Sequence, residues 1–403
     1  MKIPLASTGL RSEDIECAMK VLKSGNLTMG ASVKNFESEM ASYLKCKNFI
    51  MVNSGSSANL AMIEALIRPT NNKPKLKVGE GVLVPAIAWP TTVWPLIQLG
   101  LNPVFVDVDV NTLAIDMIAA QRVIDESKIS ITGIFIIHPL GLSIDPNKLK
   151  EFANKNNLVV ISDVCESLGS WHSGLHAGCG SLASSYSFYF SHHITTMEGG
   201  GVATNDDELA NDLRSIRSHG WSRDRTDSKE WLSEKSSNDA KFLFVSTGFN
   251  IRPMEIQAAI GSSQLNDIEE FIEKRRYIAQ RVKMAISGGR LKLIGSETLE
   301  SIETQKHHSW MLLPILVLGE NSKERKNRIV QELEELEIET RPVLTGNFLA
   351  QPAIKRIISG VPREESFKNA TYITNNAFLV GAHHDMTELQ INFLCESLND
   401  IDK

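Results

Sequence analysis

Across residues 1–200, short continuous apolar runs alternate with amphipathic stretches, and this alternation constrains the fold more than any other feature of the chain. The runs Asn48–Asn53, Gly81–Pro85, Pro103–Val108, Gly133–His138 and Leu158–Asp163 are predicted strands. Between them, Ser56–Ile67, Thr91–Leu99, Ile115–Ile124 and Pro146–Asn156 read as helices. Strands and helices in that alternation build βαβ units, whose strands run parallel. The apolar runs (VLVP, VFVDV, IFII, LVVI) are continuous rather than alternating, as in strands covered on both faces. The expected class is α/β.

Two further strands are predicted at Ser184–Phe190 and, after the turn Gly199-Gly200-Gly201, at Gly201–Thr204. The polar stretch Ser222–Ala240 reads as a loop or a solvated excursion. A long amphipathic helix over Met254–Ser287 suits a link between two units. Ser309–Val317 and Glu339–Pro342 then read as strands and Ser322–Leu336 as a helix. Thr387 and Gln390 form a capping box that starts a last helix. The expected division is a large unit over 1–255 and, over 256–403, the linking helix with a smaller α+β unit.

Composition narrows the function classes. The 403 residues carry a net charge of −6 and are 42% hydrophobic, an ordinary globular balance. That charge argues against a nucleic-acid surface. No run approaches the ~20 apolar residues of a membrane span, and the N-terminal residues turn polar too early for a signal peptide, so the cytoplasm is the expected compartment. The five cysteines, Cys17, Cys46, Cys165, Cys179 and Cys395, are scattered and read as reduced thiols. His172-x-x-x-His176 has helical metal spacing, but Gly174, Gly178 and Gly180 argue for a loop, and no metal site is expected.

In an open α/β sheet, ligands bind beyond the carboxyl ends of the parallel strands. The residues just past those strands are therefore the candidates. They are Gly55-Ser56-Ser57 opening a helix, Trp89, Asp163, and His192-His193 after the Ser184–Phe190 run. A small-residue turn at a helix N-terminus suits a phosphate, although taken alone such a turn is more often a plain cap. Trp89 is either core or a stacking surface. Asp163 is either a cap or a carboxylate facing a cationic ligand atom. No Walker or GxGxxG pattern is present.

Taken with NSGSSAN, VPAIAWPTTVWPLIQLGLNPVFVDVD, ISDVCESLGS, SFYFSHHITTMEGGGVAT, RSHGWSRD, GFNIRPMEIQAAIGSSQL and ETRPVLTGNF, these residues make the chain resemble the sugar aminotransferase family of fold-type-I pyridoxal-phosphate (PLP) enzymes. The resemblance runs from SGNLTMGASVKNFE essentially to the end of the chain. It implies a large domain with a mixed, mostly parallel sheet and a smaller C-terminal α+β domain. Most of that family has a lysine that links to PLP in the pattern S-F-x-x-x-K. Here His192 stands in its place. A primary amine can form that link and an imidazole cannot, so the cofactor, PLP or its amine form PMP, is expected to be held non-covalently.

A histidine at this position is similar to the 3-dehydratase branch of the family. One subgroup of that branch carries an iron–sulfur cluster on four cysteines. The other, of the colitose-biosynthesis type, carries none and acts on a GDP-linked 4-keto-6-deoxymannose. Only Cys395 follows His192, so the cluster-free subgroup is the nearer match.

The resemblance further implies particular roles. Asp163 would face the pyridine nitrogen, Trp89 a ring face, and Gly55, Ser56, Ser57 and Ser187 the phosphate. Glu166 would also touch the cofactor. Asn250 would reach the phosphate from a neighbouring subunit, which implies a homodimer. His192 would be the catalytic base, with L-glutamate as amino donor. Leu27, Thr28, Met29, Gly30, His219, Arg223, Arg252 and Glu339 match contacts to the nucleotide sugar. Two other readings stay open: an aminotransferase that leaves nitrogen on the sugar, and a catalytically silent binding or sensory homologue.

Overall fold

The structure, a computed structural model, describes residues 1–6, 9–232, 242–358, 360 and 362–403. Its larger sheet holds β1 (Asn48–Val52), β2 (Gly81–Pro85), β3 (Asn102–Val106), β4 (Ile131–Ile137) and β5 (Val159–Asp163). After a small hairpin of β6 (Trp171–His172) and β7 (Leu175–His176), it is completed by β8 (Ala183–Ser187) and β9 (Gly200–Thr204). The order is β1-β9-β8-β5-β4-β2-β3. β9 runs antiparallel to both neighbours, and every other pairing is parallel. The class is the α/β one expected from the sequence.

Ten helices are named in chain order: α1 (Ser12–Ser24), α2 (Ala31–Leu44), α3 (Gly55–Ile67), α4 (Pro90–Gln98), α5 (Met117–Glu126), α6 (Pro146–Asn156), α7 (Asp207–Ile216), α8 (Ser228–Leu232), α9 (Glu255–Leu265) and α10 (Ile268–Ala285). Both faces of the sheet are covered. Phe135 and Ile137 pack into a core with α3, α4 and α7, whereas Ile134 and Ile136 face α5 and α6 on the other side. On that other side, at the β1 end, Phe49 and Met51 meet Phe36 and Met40 of α2 and Ile268 and Phe271 of α10. This double burial is why the strand sequences are continuously apolar.

β10 (Leu291–Leu293), β11 (Leu312–Val317), β12 (Thr340–Arg341) and β13 (Ala377–Gly381) form a second, antiparallel sheet ordered β10-β11-β13-β12. One face carries Leu313, Ile315 and Val317 against α10 and the C-terminal helix Glu388–Asp402. The other puts Leu312 and Leu316 into the first core, so the two sheets share packed interior. Ile3, expected with the large unit, lies in the second core and bridges Ile338.

Three local differences from the sequence reading have physical causes. The single helix expected over Met254–Ser287 is two, α9 and α10, broken at Asn266 and Asp267. Both residue types compete with the helix for backbone partners, and Asp267 Oδ2 also accepts from Arg11 Nη1 at 2.6 Å. The strand expected over Ser184–Phe190 ends at Ser187, because Phe188 turns inward and bonds Gly199 and Thr196 through its backbone. The stretch Ser222–Ala240 lies partly outside the described residues. Within them it contains α8, and Arg225 is buried against Asp212 (3.1 Å) and Asp227 (2.7 Å) rather than solvated.

Candidate active site

The turn at the end of β1 enters α3. Ser54 caps that helix, its Oγ accepting from Ser57 N at 3.1 Å. The amide of Ser57 is therefore used, while Gly55 and Ser56, the first two helical residues, have no carbonyl within the helix to bond. Gly55 is pressed against the end of β8. A Cβ there would lie 2.5 Å from Ser187 Cβ and 3.0 Å from both Ser187 Oγ and Cys165 Sγ. Only the bare backbone fits so close to Ser187 and Cys165, and the free amides of Gly55 and Ser56 at a helix N-terminus are of the kind that receives an anion.

Asp163 ends β5 and is buried. Its Oδ2 accepts from Asn59 Nδ2 and from Thr92 Oγ1, each at 2.8 Å, and its Oδ1 accepts from Cys165 N at 3.1 Å. Three donors hold this carboxyl group and among the described residues no cation pairs with it, so it is open to a cationic ligand atom. Trp89 caps α4 and is 49% exposed, so it stands as a free ring face and is not core. Glu166 accepts from Leu140 N at 2.9 Å and faces Arg341 Nη2 at 3.8 Å. Burial pushes its carboxyl up from the usual range, and the Arg341 charge opposes that.

His192 lies in a turn closed by its own N–H to Tyr189 O at 3.0 Å. Its Nδ1 is buried without a partner among the described residues. Burial, reinforced by Arg341 and Arg275, pushes the imidazole down to about 3, so the ring is neutral near pH 7. The sequence supports only the reference value near 6.5; the two arginines come from β12 and α10. His193 is buried with Nε2 at 3.2 Å from Ser309 O, a structural placement.

The other expected residues are distributed unevenly. Leu27 O accepts from Glu255 N, Thr28 bridges Met254, and Gly30 N donates to Glu255 Oε1 at 2.7 Å, so Leu27–Gly30 is pinned to the start of α9. Met29 and Arg223 line one groove, with Arg223 4.0 Å above the Trp221 ring. Arg252 donates to Asn250 Oδ1 at 3.1 Å, and Asn250 is exposed. His219 is exposed, with its backbone bonded to Phe249. Glu339 is engaged elsewhere, accepting from Leu5 N and pairing with Lys2, each at 3.1 Å.

The sequence reading did not single out Asn59, Thr92, Arg275 or Arg341. Asn59 stands four residues after Gly55 within NSGSSAN, and Arg341 stands in ETRPVLTGNF, so both lay inside motifs already noted. Thr92 likewise lay inside VPAIAWPTTVWPLIQLGLNPVFVDVD, and of the four only Arg275 carried no such signal. The hairpin β6–β7 turns at Ser173 and Gly174, both with positive φ, so His172 and His176 do not share a helix face. Among the described residues no three His, Cys, Asp or Glu side chains gather as a metal site, and the five cysteines are free thiols. No helix among them is long and apolar enough to cross a membrane.

The DegT/DnrJ/EryC1/StrS aminotransferase family profile matches residues 9–399. The chain is 37% identical to a GDP-4-keto-6-deoxy-D-mannose 3-dehydratase of Yersinia pseudotuberculosis, over 96% of each chain. It superposes with a TM-score of 0.89 and 33% identity on an E. coli GDP-4-keto-6-deoxy-D-mannose-3-dehydratase with bound hydrated PLP, over 99% of each chain. A third relative, GDP-4-keto-6-deoxymannose-3-dehydratase with a trapped PLP-glutamate geminal diamine, superposes with a TM-score of 0.89 and 32% identity, over 98% of this chain and all (100%) of that one.

Proposed function

The chain belongs to the DegT/DnrJ/EryC1/StrS aminotransferase family, and from that membership we propose that it is a PLP/PMP-dependent nucleotide-sugar 3-dehydratase. It removes the C3 hydroxyl of a GDP-linked 4-keto-6-deoxy sugar, GDP-4-keto-6-deoxymannose, with L-glutamate as amino donor. The observation that carries this reading is His192. Where the family pattern has a lysine, this chain has a neutral imidazole with a buried, unpartnered nitrogen.

The site fits the cofactor. Its phosphate matches the amides of Gly55 and Ser56 and the hydroxyl of Ser187, its pyridine nitrogen the Asp163 carboxylate, and its ring face the exposed Trp89. When bound, PLP would supply an acceptor for the amino group of L-glutamate, which leaves as 2-oxoglutarate, and in its PMP form an acidic C4′ carbon with an electron path to the sugar. Asp163 keeps the ring nitrogen protonated, because its charge is held by Asn59, Thr92 and the Cys165 amide. Glu166 borders the cofactor and holds Arg341 nearby. His192 accepts the C4′ proton and returns it to the departing C3 oxygen, a role open to a base that starts neutral. As an imidazole it would not capture the cofactor covalently; the sugar would leave as an unsaturated 4-amine, and hydrolysis of its imine tautomer by water would release ammonia and restore the C4 ketone.

In the same proposal, Leu27, Thr28, Met29, Gly30, His219, Arg223 and Arg252 receive the nucleotide sugar, with the guanidinium groups on its diphosphate. Glu339 enters only as the anchor of Lys2 and Leu5. The exposed Asn250 reaches the phosphate of a second copy, in a homodimer with shared sites. The setting is cytoplasmic, the product feeds 3,6-dideoxy sugars such as colitose, and no iron is required. The test is mass spectrometry of the product from GDP-4-keto-6-deoxymannose and L-glutamate. Loss of the C3 hydroxyl without gained nitrogen supports the reading. An amino sugar points to the aminotransferase instead, and failure to take up either cofactor form points to a silent homologue.

A further inference from the structure

Arg275 of α10 is 2% exposed, and among the described residues no carboxylate bonds it. Its Nη1 donates to Trp310 O (3.4 Å), Met311 O (2.9 Å) and Ala382 O (3.3 Å), and its Nη2 to His192 O (3.5 Å). These carbonyls belong to three segments distant in sequence: the entry to β11, the exit from β13, and the turn that holds His192. A buried cation that no carboxylate bonds directly is costly to keep and needs a use for its charge and its donors.

We propose that Arg275 is a positioning residue for His192, tying the backbone of its turn to the smaller sheet and setting the charge around its ring. The inference rests on the proposed function and adds a residue to it. The guanidinium suits the task because its planar fork spans several acceptors at once.

The charged and titratable groups around the pair come from three segments. Arg341 of β12 acts on His192; His193 adjoins it in sequence; His383 and His384 follow β13; and Asp385, beyond them, acts on Arg275 through space. All four of these histidines are held neutral, chiefly by burial, and Arg275 contributes to each. Burial lowers Arg275 itself only to about 10, so it stays cationic near pH 7. A second positive charge on the His192 ring is thereby disfavoured, and the ring waits as a base.

Two substitutions in the PLP-loaded enzyme separate the tether from the charge. Arg275→Lys keeps the charge but offers one ammonium in place of the fork. With GDP-4-keto-6-deoxymannose and L-glutamate, its kcat falls roughly tenfold while KM for the sugar holds. Arg275→Met removes both, and the acidic limb of its kcat/KM profile moves up by roughly one pH unit. A folded Lys variant with wild-type kcat, or a folded Met variant whose acidic limb is unmoved, overturns the proposal. His192→Asn is run beside them. If it still eliminates the hydroxyl, the assignment of His192 fails; if it is inactive while both Arg275 variants behave as wild type, only the role of Arg275 fails. Cofactor uptake and thermal melting establish that each variant is folded.

Discussion

Asn59 Nδ2 donates to Asp163 Oδ2 at 2.8 Å, joining residues 104 positions apart, one on α3 and one at the end of β5. Asn59 also donates to Thr91 O at 3.0 Å, so the same side chain fixes the start of α4, which comes directly after Trp89. One buried amide thus registers the turn that opens α3, the Asp163 carboxyl group and the start of α4 beside Trp89 against each other.

Replacing Asn59 with alanine leaves Asp163 short of a donor and frees Thr91. The expected cost is about 1–3 kcal/mol of stability, with weaker PLP binding because the carboxylate loses its fixed direction. Urea denaturation of the apoprotein and a spectroscopic PLP titration measure the two effects. A variant with unchanged affinity for PLP would show that Asn59 serves packing alone.

His192→Asn is expected to bind PMP as well as the parent does and to lose elimination by about 10²–10⁴-fold. His192→Lys restores a primary amine at the same backbone position and is expected to turn the protein yellow with PLP. Absorbance that stays that of free PLP would mean that residue 192 does not face the cofactor.

Glu255 accepts from the amides of Gly30 (2.7 Å), Ser32 (2.9 Å) and Val33 (3.0 Å), serving as the cap that α2 lacks from its own sequence. These amides hold its carboxyl below the usual range despite burial. Glu255→Gln turns an amide NH₂ towards N–H donors and is expected to cost about 1–3 kcal/mol. Because it loosens Leu27–Gly30, KM for the sugar nucleotide rises while the glutamate half-reaction keeps its rate. Slowing of both halves together would place the effect elsewhere.

Acid should destabilise the fold below the ordinary histidine range. His138 Nδ1 accepts from Ile144 N at 3.2 Å and His176 Nε2 from Gly169 N at 3.0 Å, so each ring must be unprotonated. Burial lowers the first to about 3 and the second to about 4. With folded values below the unfolded one of about 6.5, stability is whole above that pH and falls as pH drops towards the folded values. At pH 5 the loss is about 2 kcal/mol for each ring. Urea midpoints at pH 7.5 and 5.0 read it, and His138→Gln should flatten the dependence; an equally steep slope in that variant removes His138 from the account.

Much of this was legible in the chain itself. The strand over Gly81–Pro85 and the helix over Pro146–Asn156 fall where the sequence places them, because a continuous apolar run and a proline-led amphipathic helix are local signals. Gly55, Trp89, Asp163 and His192 were legible as candidates because each stands at or just past the carboxyl end of a strand that the apolar runs mark. That Trp89 is a free face could not be read, since an indole after a strand, taken alone, more often belongs to the core. Nor could the break between α9 and α10, which Arg11 helps to set from the other end of the chain.

The sequence by itself determined the α/β class, the family, and the presence of an imidazole where an amine is usual. Those are properties of residue type and spacing, carried by neighbours along the chain. The tertiary structure alone decided the state of that imidazole. Its neutrality results from burial and from Arg275 and Arg341, which reach it from the smaller sheet and the helix beside it. Charge interactions depend on distance through space, so a residue's spacing along the chain carries no record of them.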